Sequence, residues 1–256
     1  PLIVHYHNLA MLINDCEMND NFIKLYKKFC PGPITFVLKL KKNNKISKNV
    51  TNNKKTLAVR FPKHVLVRKL LKKLNYPLAA PSANISTGLS SVKATDVKEE
   101  FGNKISYILN GGQSKVGIES TIINLINFPT ILRLGGLEVS KIEKVLKQKI
   151  KINVNPLKKI APGQSKLHYS PGIPVRMKIV KPLKDEAYIL LKERNIKSPH
   201  YYYISKNKNL HEAAKNLYSC LRKIKNKGYT SVAIEKIPNI GLGKSINDRL
   251  NRASKF

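Results

Sequence analysis

A short polar loop carries the residues best suited to chemistry. It reads Leu78-Ala-Ala-Pro-Ser-Ala-Asn84 and follows an apolar stretch, residues 76–80, that predicts a buried strand. Ligands of open α/β sheets lie beyond the carboxyl ends of strands. Ser82 and Asn84 flank the small Ala83, so both side chains can face one side of an extended turn and bind phosphate oxygens together with backbone N–H groups. The alternative, a proline turn with solvated polar residues, is the more common use of such a sequence.

Two arginines end predicted strands. Arg60 closes the stretch that starts at Thr56, and Arg133 closes the stretch that starts at Thr130. A guanidinium in that place can hold a carboxylate or a phosphate through two hydrogen bonds. An edge salt bridge explains Arg60 equally well. Glu119, one of few acidic residues, could orient a substrate amine, although a structural ion pair is the commoner role.

Histidines and glycines give weaker signals. His5 ends an apolar run, where a lone histidine is more often a packing or surface residue. His168 and Tyr169 lie in a proline-broken segment that could close over a ligand. Gly241-Leu-Gly243 matches part of a glycine-rich nucleotide turn but lacks the third glycine. The sequence contains no nucleophile elbow, no Walker A lysine motif and no metal-ligand spacing.

Alternating strand and helix patterns must position these residues. Period-2 or apolar runs predict strands at 34–40, 56–60, 76–80, 105–109, 120–125, 130–134, 201–204 and 231–234. Helical periods predict helices at 21–29, 65–74, 95–101, 140–146, 210–227 and 244–253. Ser140 and Glu143 match a capping box. Residues 41–55 are predicted to be a loop, and 151–175 a linker, so the chain is predicted to hold two α/β domains.

Composition narrows the class of protein. The chain has 256 residues, of which 42% are hydrophobic, as expected for a globular protein. No apolar run is long enough for a transmembrane helix, and three distant cysteines do not suggest a disulfide scaffold. The net charge is +33, and 40 of the 48 basic residues are lysine. Binding to nucleotides or RNA and a merely solvated lysine coat explain this charge about equally well.

Taken together, the segments resemble the Sua5/YrdC/YwlC family, the L-threonylcarbamoyladenylate synthases. The resemblance runs through nearly the whole chain in order. It is carried by Pro1-Leu-Ile-Val-His5, Pro31-Gly-Pro-Ile-Thr35, Leu57-Ala-Val-Arg60-Phe-Pro62, Ala80-Pro-Ser-Ala-Asn84, Gly117-Ile-Glu-Ser-Thr121, Ile131-Leu-Arg133, Ala161-Pro-Gly163, His168-Tyr-Ser-Pro171, Ala214-Lys-Asn-Leu-Tyr218 and Gly241-Leu-Gly243. It implies an α/β fold: a YrdC-like twisted open sheet with helices (1–150), a linker (151–175) and a smaller Rossmann-like α/β Sua5 domain (176–256).

The resemblance also implies a reaction. L-Threonine, bicarbonate and ATP, with Mg²⁺, would give threonylcarbamoyl-AMP and pyrophosphate, and the product would serve threonylcarbamoyladenosine modification of tRNA. It assigns L-threonine contacts to His5, Arg60, Ala80 (through its backbone) and Ser120. It assigns ATP contacts to Thr56, Ser82, Ser90, Arg133 and Tyr169, with Ser82 and Asn84 as the catalytic pair. Tyr169 would then lie in a lid, residues 161–171, packed near Ser82 and Arg133.

Other expectations stay open beside this one. The family's Lys-x-Arg pair near the phosphates would precede Pro1, so the sequence suggests a chain that lacks an N-terminal segment and whose own activity is uncertain. A non-enzymatic module that binds double-stranded RNA or tRNA, or an inactive fragment of the synthase, is the alternative. The resemblance further implies a downstream tRNA threonylcarbamoyl transferase machinery as partner, no membrane partner, and a cytoplasmic location.

Overall fold

The computed structural model describes residues 1–156, 161–163, 167–196 and 198–255. Within these ranges the strands are, in chain order, β1 (Ile3–His5), β2 (Ile34–Lys39), β3 (Thr56–Arg60), β4 (Leu78–Ala80), β5 (Thr121–Asn124), β6 (Thr130–Arg133), β7 (Lys151–Ile152), β8 (Val175–Met177), β9 (Ala187–Leu190), β10 (Tyr201–Tyr203) and β11 (Val232–Ile234). The α-helices are α1 (Leu9–Leu12), α2 (Asp20–Phe29), α3 (Lys48–Thr51), α4 (Val65–Lys73), α5 (Ala94–Phe101), α6 (Val139–Leu146), α7 (Leu210–Asn226) and α8 (Leu242–Ala253).

Contacts divide the chain into two compact units. The first unit is Pro1–Pro81 with Glu119–Gln164, and the second unit is Ser82–Ile118 with Ser165–Phe256. The long excursion between β4 and β5, which starts with Ser82 and includes α5, therefore groups with the C-terminal part of the chain. The domain boundaries expected from the sequence, 1–150 and 176–256 around a linker, stay a prediction.

The first unit is built on one mixed sheet of order β4-β1-β3-β2-β5-β6-β7. β1 runs parallel to β3, β2 runs antiparallel to β3, and β5 runs parallel to β2. Successive side chains of a strand point to opposite faces of its sheet. One face, with Phe36 and Val59 among its residues, belongs to the buried cluster that also contains Phe22 of α2 and Ile142 of α6.

The opposite face of this sheet carries a smaller apolar cluster. It consists of Ile3, Val37, Ala58, Ile122 and Leu132, together with Ala161 from the segment 161–163. His5, Thr35 and Arg60 are each two positions from a cluster residue on the same strand, so they lie on this same face. These three polar side chains therefore lie on the face of the sheet opposite to α2 and α6.

The second unit contains a four-stranded sheet of order β10-β9-β11-β8, and every pairing in it is parallel. α7 begins after Asn209, whose side chain accepts hydrogen bonds from the N–H groups of His211 and Glu212. Its apolar face recurs at helical spacing, so Ala213, Leu217 and Leu221 are all buried in the unit's core. The predicted α/β alternation in this half is confirmed.

Several local predictions were wrong, each for a physical reason. Residues 105–109 form no strand in the described chain, and Tyr107 is 80% exposed, because no neighbouring strand covers this apolar run. The strand at 76–80 is not buried: it is the short edge strand β4, and Tyr76 is exposed. α6 begins after Glu138 and not at Ser140, and the Glu143 carboxylate accepts a hydrogen bond from Ile150 N–H (3.1 Å) instead of closing a capping box.

Two segments predicted to be irregular contain regular elements. The lysine-rich loop 41–55 includes α3, which begins after Ser47, and the linker 151–175 starts with β7, which pairs with β6. Both are too short for their periodicity to show in the sequence. β7 extends the sheet of the first unit by one strand.

Candidate active site

His5 and Arg60 meet at one end of the first unit's sheet. They are register partners on the parallel strands β1 and β3, and Thr35 at the start of β2 is the register partner of Arg60 on its other side. Three neighbouring strands therefore place an imidazole, a guanidinium and a hydroxyl on one face. His5 and Arg60 were candidates from the sequence, and the strand pairing brings the two together.

His5 is a neutral hydrogen-bonding group. Its Nδ1 lies 3.3 Å from the carbonyl oxygen of Leu78 on β4. Burial, then the charge of Arg60, lowers the pKa of His5 to about 4. A neutral ring that donates from Nδ1 to Leu78 leaves Nε2 as an acceptor. His5 is thus prepared to accept a hydrogen bond from a ligand's ammonium or hydroxyl group.

Arg60 carries a buried positive charge with an unused donor. Burial, then the charge of Arg133, lowers the pKa of Arg60 to about 10, while Glu119 acts in the opposite direction. The guanidinium remains charged at neutral pH. Its Nε is buried, and no described group accepts a hydrogen bond from it. Because a buried donor without a hydrogen-bond partner is costly, a bound anion would relieve this position.

Ser120 and Arg133 form a fixed polar group beside this site. Thr35 Oγ1 and Ser120 Oγ are 2.7 Å apart, and both residues are fully buried. Arg133 donates from Nε to the Ser120 carbonyl (3.0 Å) and from Nη2 to Ser120 Oγ (3.1 Å). The Arg133 guanidinium is therefore held in one orientation, with its charge close enough to Arg60 to affect that residue's pKa.

The turn after β6 packs directly on the Ser120 backbone. A Cβ at Gly135 would lie 2.4 Å from the Ser120 carbonyl carbon, and Gly136 N–H donates to the Glu119 carbonyl (2.8 Å). Only glycine allows so close an approach of two backbones. This contact fixes the Ser120 peptide, whose carbonyl oxygen accepts the hydrogen bond from Arg133 Nε.

The segment 161–163 covers part of the polar face. Ala161 is buried in the small apolar cluster of that face, and the Pro162 carbonyl accepts a hydrogen bond from Arg133 Nη1 (3.4 Å). Residues 161–163, the start of the predicted lid, therefore pack near Arg133, and the lid itself stays a prediction. Its continuation at 164–166 lies outside the described residues.

The loop with Ser82 and Asn84 belongs to the second unit and is held by its own hydrogen bonds. Asn84 Nδ2 donates to the carbonyls of Ile85 (2.8 Å) and Gly88 (3.3 Å), and Ser91 Oγ donates to the Ala83 carbonyl (2.6 Å). Asn84 Oδ1 is buried and has no partner in the described chain. Ser82, in contrast, is exposed. Asn84 therefore shapes the loop, and Ser82 is the side chain that the loop presents to solvent.

Tyr169 is 1% exposed in the core of the second unit. Its ring stacks on Tyr218 (centroids 5.8 Å apart, planes at 26°), and the Arg249 guanidinium lies 4.9 Å from its centroid. The neighbouring Ser170 N–H donates to the Thr87 carbonyl (2.9 Å), which joins this segment to the Ser82–Asn84 loop. The ATP contacts predicted for Tyr169 and for the buried Ser90 stay predictions.

Two other predicted contacts lie farther along the strands. Ala80 pairs with Ile3, two positions from the Leu78–His5 pair. Thr56 begins β3 and pairs with Lys39, so the four-residue separation places it about 13 Å from Arg60. The strand pairing brings His5 and Arg60 together and leaves Thr56 at the other end of the sheet.

Thr35 and the Leu78 carbonyl were missed as site groups. Thr35 is a hydroxyl inside an otherwise apolar strand, and this break in the pattern was the available signal. The role of Leu78 could not be read from its side chain, because only its backbone oxygen contacts His5.

The described residues hold no group of three or more His, Cys, Asp or Glu side chains arranged to bind a metal ion. Burial raises the pKa of the free thiols of Cys16, Cys30 and Cys220 to about 12. Thiolate chemistry at neutral pH is therefore disfavoured at these positions. Among the described helices none is both long and apolar enough to cross a bilayer.

Known proteins match both parts of the chain. A family model described as telomere recombination (Sua5, YciO and YrdC) matches residues 1–135, and one described as the threonylcarbamoyl-AMP synthase C-terminal domain matches residues 137–255. Threonylcarbamoyl-AMP synthase of Pyrococcus abyssi is 33% identical, covering 100% of this chain and 80% of the relative. The Bacillus subtilis protein of the same name is 30% identical, covering 99% and 79%.

A solved structure matches the fold. The crystal structure of P. abyssi Sua5 complexed with L-threonine has a TM-score of 0.89 at 30% sequence identity, covering 99% of this chain and 80% of that one. The predicted fold class, two α/β parts of YrdC and Sua5 type, is confirmed.

Proposed function

Because the chain belongs to the Sua5/YrdC family of threonylcarbamoyl-AMP synthases, we propose that the polar face of its first unit holds L-threonine for conversion to threonylcarbamoyl-AMP. The chain is an enzyme of the nucleotidyltransferase type, and its substrates include L-threonine and ATP. The observation that carries the proposed threonine site is the buried Arg60 Nε without a hydrogen-bond partner among the described residues.

Arg60 and His5 suit the two ends of an amino acid. The Arg60 guanidinium would pair with the threonine carboxylate through two hydrogen bonds, one of which would give the buried Nε a partner. The neutral His5 would accept a hydrogen bond at Nε2 from the ammonium or hydroxyl group. Ser120 and the backbone of Ala80 complete the proposed set of threonine contacts.

The proposed reaction joins threonine, bicarbonate and ATP. The threonine amine and bicarbonate form a carbamate with loss of water, and a carbamate oxygen attacks the α-phosphorus of ATP. A new P–O bond forms, the bond to pyrophosphate breaks, and threonylcarbamoyl-AMP results. Such a step depends on positioning and on neutralising charge more than on a protein nucleophile.

The proposed ATP contacts are those that the resemblance implies: Thr56, Ser82, Ser90, Arg133 and Tyr169. The fixed Arg133 guanidinium would neutralise phosphate charge. Ser82 would donate to a phosphate oxygen from its exposed loop, while Asn84 keeps that loop in shape.

Mg²⁺ is proposed as the companion of ATP. This ion usually keeps several waters and is held largely by substrate phosphates. It would supply charge neutralisation at the phosphates.

The product's use extends beyond this chain. We propose that threonylcarbamoyl-AMP passes to a tRNA threonylcarbamoyl transferase machinery, in the cytoplasm. A net charge of +33 would also attract tRNA or double-stranded RNA electrostatically.

The experiment is direct detection of the product. The purified chain is incubated with ATP, Mg²⁺, L-threonine and labelled bicarbonate, and the nucleotides are separated at once by chromatography and identified by mass. We expect labelled threonylcarbamoyl-AMP with wild-type protein and with Arg68→Lys, and much less with Arg60→Lys at low threonine. Equal amounts of product from the wild-type protein and both variants would show that Arg60 does not bind threonine.

A further inference from the structure

The loop that carries Ser82 and Asn84 is tied to α7 through a shared carboxylate. Ile85 N–H donates to Glu100 Oε2 (3.0 Å), and Arg222 Nη2 donates to Glu100 Oε1 (3.0 Å). Glu100 belongs to α5 and Arg222 to α7, and all these residues are in the second unit. One side chain thus connects the loop backbone next to Asn84 with a helix about 120 residues later in the chain.

A second carboxylate holds the other end of the same loop. Asp96 is 1% exposed, and its Oδ2 accepts hydrogen bonds from Val92 N–H (2.9 Å) and Lys93 N–H (3.2 Å). Arg222 Nε lies 3.7 Å from Asp96 Oδ1, and Arg222 Nη2 also donates to the Leu89 carbonyl (3.3 Å). A single guanidinium therefore donates hydrogen bonds to Glu100 and to one carbonyl of the loop, and it lies at ion-pair distance from Asp96 without a hydrogen bond between Nε and Oδ1.

The packing below the loop agrees with this connection. Leu89 and Val92 belong to the buried cluster to which α7 contributes Leu217 and Leu221. At Gly117, which has a φ of +80°, a Cβ would lie 2.3 Å from the Lys215 Cα. The excursion between β4 and β5 is thus seated against α7 so closely that glycine is required.

We propose that Arg222 is a positioning residue for adenylate formation: it fixes the Ser82–Asn84 loop through Glu100 and Asp96. This inference rests on the proposed role of that loop in binding ATP. Charge-assisted hydrogen bonds such as the part-buried Arg222–Glu100 bond are strong and hold a site in its productive geometry.

The first test separates the two substrates. Arg222→Met keeps the apolar stem and removes the donors. We expect kcat/KM for ATP to fall about tenfold or more, since hydrogen bonds to charged groups are lost, while KM for threonine changes little. The control is Arg176→Met, which removes an arginine of the same unit. Arg176 pairs with Glu186 (2.9 Å), which does not belong to the loop that carries Ser82 and Asn84.

The second test measures coupling between Arg222 and Glu100. The substitution Glu100→Gln keeps an oxygen that can accept the hydrogen bond from Ile85 N–H, and it removes the charge that pairs with Arg222. The combined variant Glu100→Gln/Arg222→Met should therefore lose less activity than the product of the two single losses, because both act through one contact. Independent, multiplicative losses would contradict the proposal.

The third test needs no catalysis. Hydrogen exchange of the Ile85 and Val92 amides should be about tenfold faster in Arg222→Met than in wild type and unchanged in Arg176→Met. If the wild-type protein forms no adenylate, the proposed function is wrong. The exchange rates still show whether Arg222 holds the loop in place. Wild-type exchange in Arg222→Met, or equal losses toward ATP and threonine, would overturn the inference.

Discussion

His5 and Arg60 are register partners across the parallel strands β1 and β3, and the charge of Arg60 acts on the His5 imidazole. Burial, with the charge of Arg60, lowers the pKa of His5 to about 4, so a neutral acceptor stands beside a permanent cation. This pair matches the ammonium or hydroxyl group and the carboxylate of an amino acid. The account of the threonine site depends on this relationship.

Arg60→Lys should raise KM for threonine about 10- to 100-fold and change KM for ATP much less. A lysine keeps the charge but cannot form the two parallel hydrogen bonds of a guanidinium. Steady-state kinetics with each substrate varied in turn measures this. Arg68→Lys is the matched control, since Arg68 donates to the His7 carbonyl (3.3 Å) in the same unit. Equal effects on both substrates would indicate a structural role for Arg60.

The sequence predicted His5 and Arg60 individually, but not their contact. The sequence predicted the strand at 56–60 and noted His5 only as the end of an apolar run, and the resemblance implied roles for both residues. Register between strands that are about 55 residues apart depends on the whole sheet, and no local pattern encodes it. The same holds for the Thr35–Ser120 pair and for Tyr169, whose burial beside Tyr218 depends on packing between distant segments.

His5 should make stability depend on pH. Its folded pKa of about 4 lies below the usual 6.5, so the unfolded chain binds more protons between these values. The free energy of unfolding therefore falls as pH drops from about 6.5 to 4, by about 1–3 kcal/mol from this group. Urea unfolding at pH 7 and pH 4.5 should show a smaller difference for His5→Gln than for wild type. An unchanged difference would contradict the low pKa.

Gly135→Ala should damage both stability and ATP use. The added Cβ meets the Ser120–Thr121 backbone at 2.4 Å and displaces the carbonyl that binds Arg133. We expect a loss of about 2–4 kcal/mol in unfolding free energy and a raised KM for ATP. Gly112→Ala is the control: nothing lies within 4 Å of its added Cβ, so only the positive φ costs energy, about 1 kcal/mol. Similar losses in the two variants would rule out the steric argument.

The double variant Ser82→Ala/Asn84→Ala should abolish adenylate formation and leave the melting temperature nearly unchanged. Both residues lie on a loop, so the core is untouched, while the exposed Ser82 hydroxyl and the Asn84 bonds to Ile85 and Gly88 are lost. Product assays and calorimetry provide the two readouts. Ser86→Ala, an exposed serine of the same loop, should retain full activity. Wild-type turnover by the double variant would refute the assignment.

The most direct measurement for the proposed function is isotope exchange between pyrophosphate and ATP. The purified chain is mixed with ATP, Mg²⁺ and labelled pyrophosphate, and threonine or bicarbonate is omitted in turn. Because adenylate formation is reversible and needs both, label should enter ATP only when threonine and bicarbonate are present together. Exchange that persists without threonine, or no exchange in the complete mixture, would contradict the account.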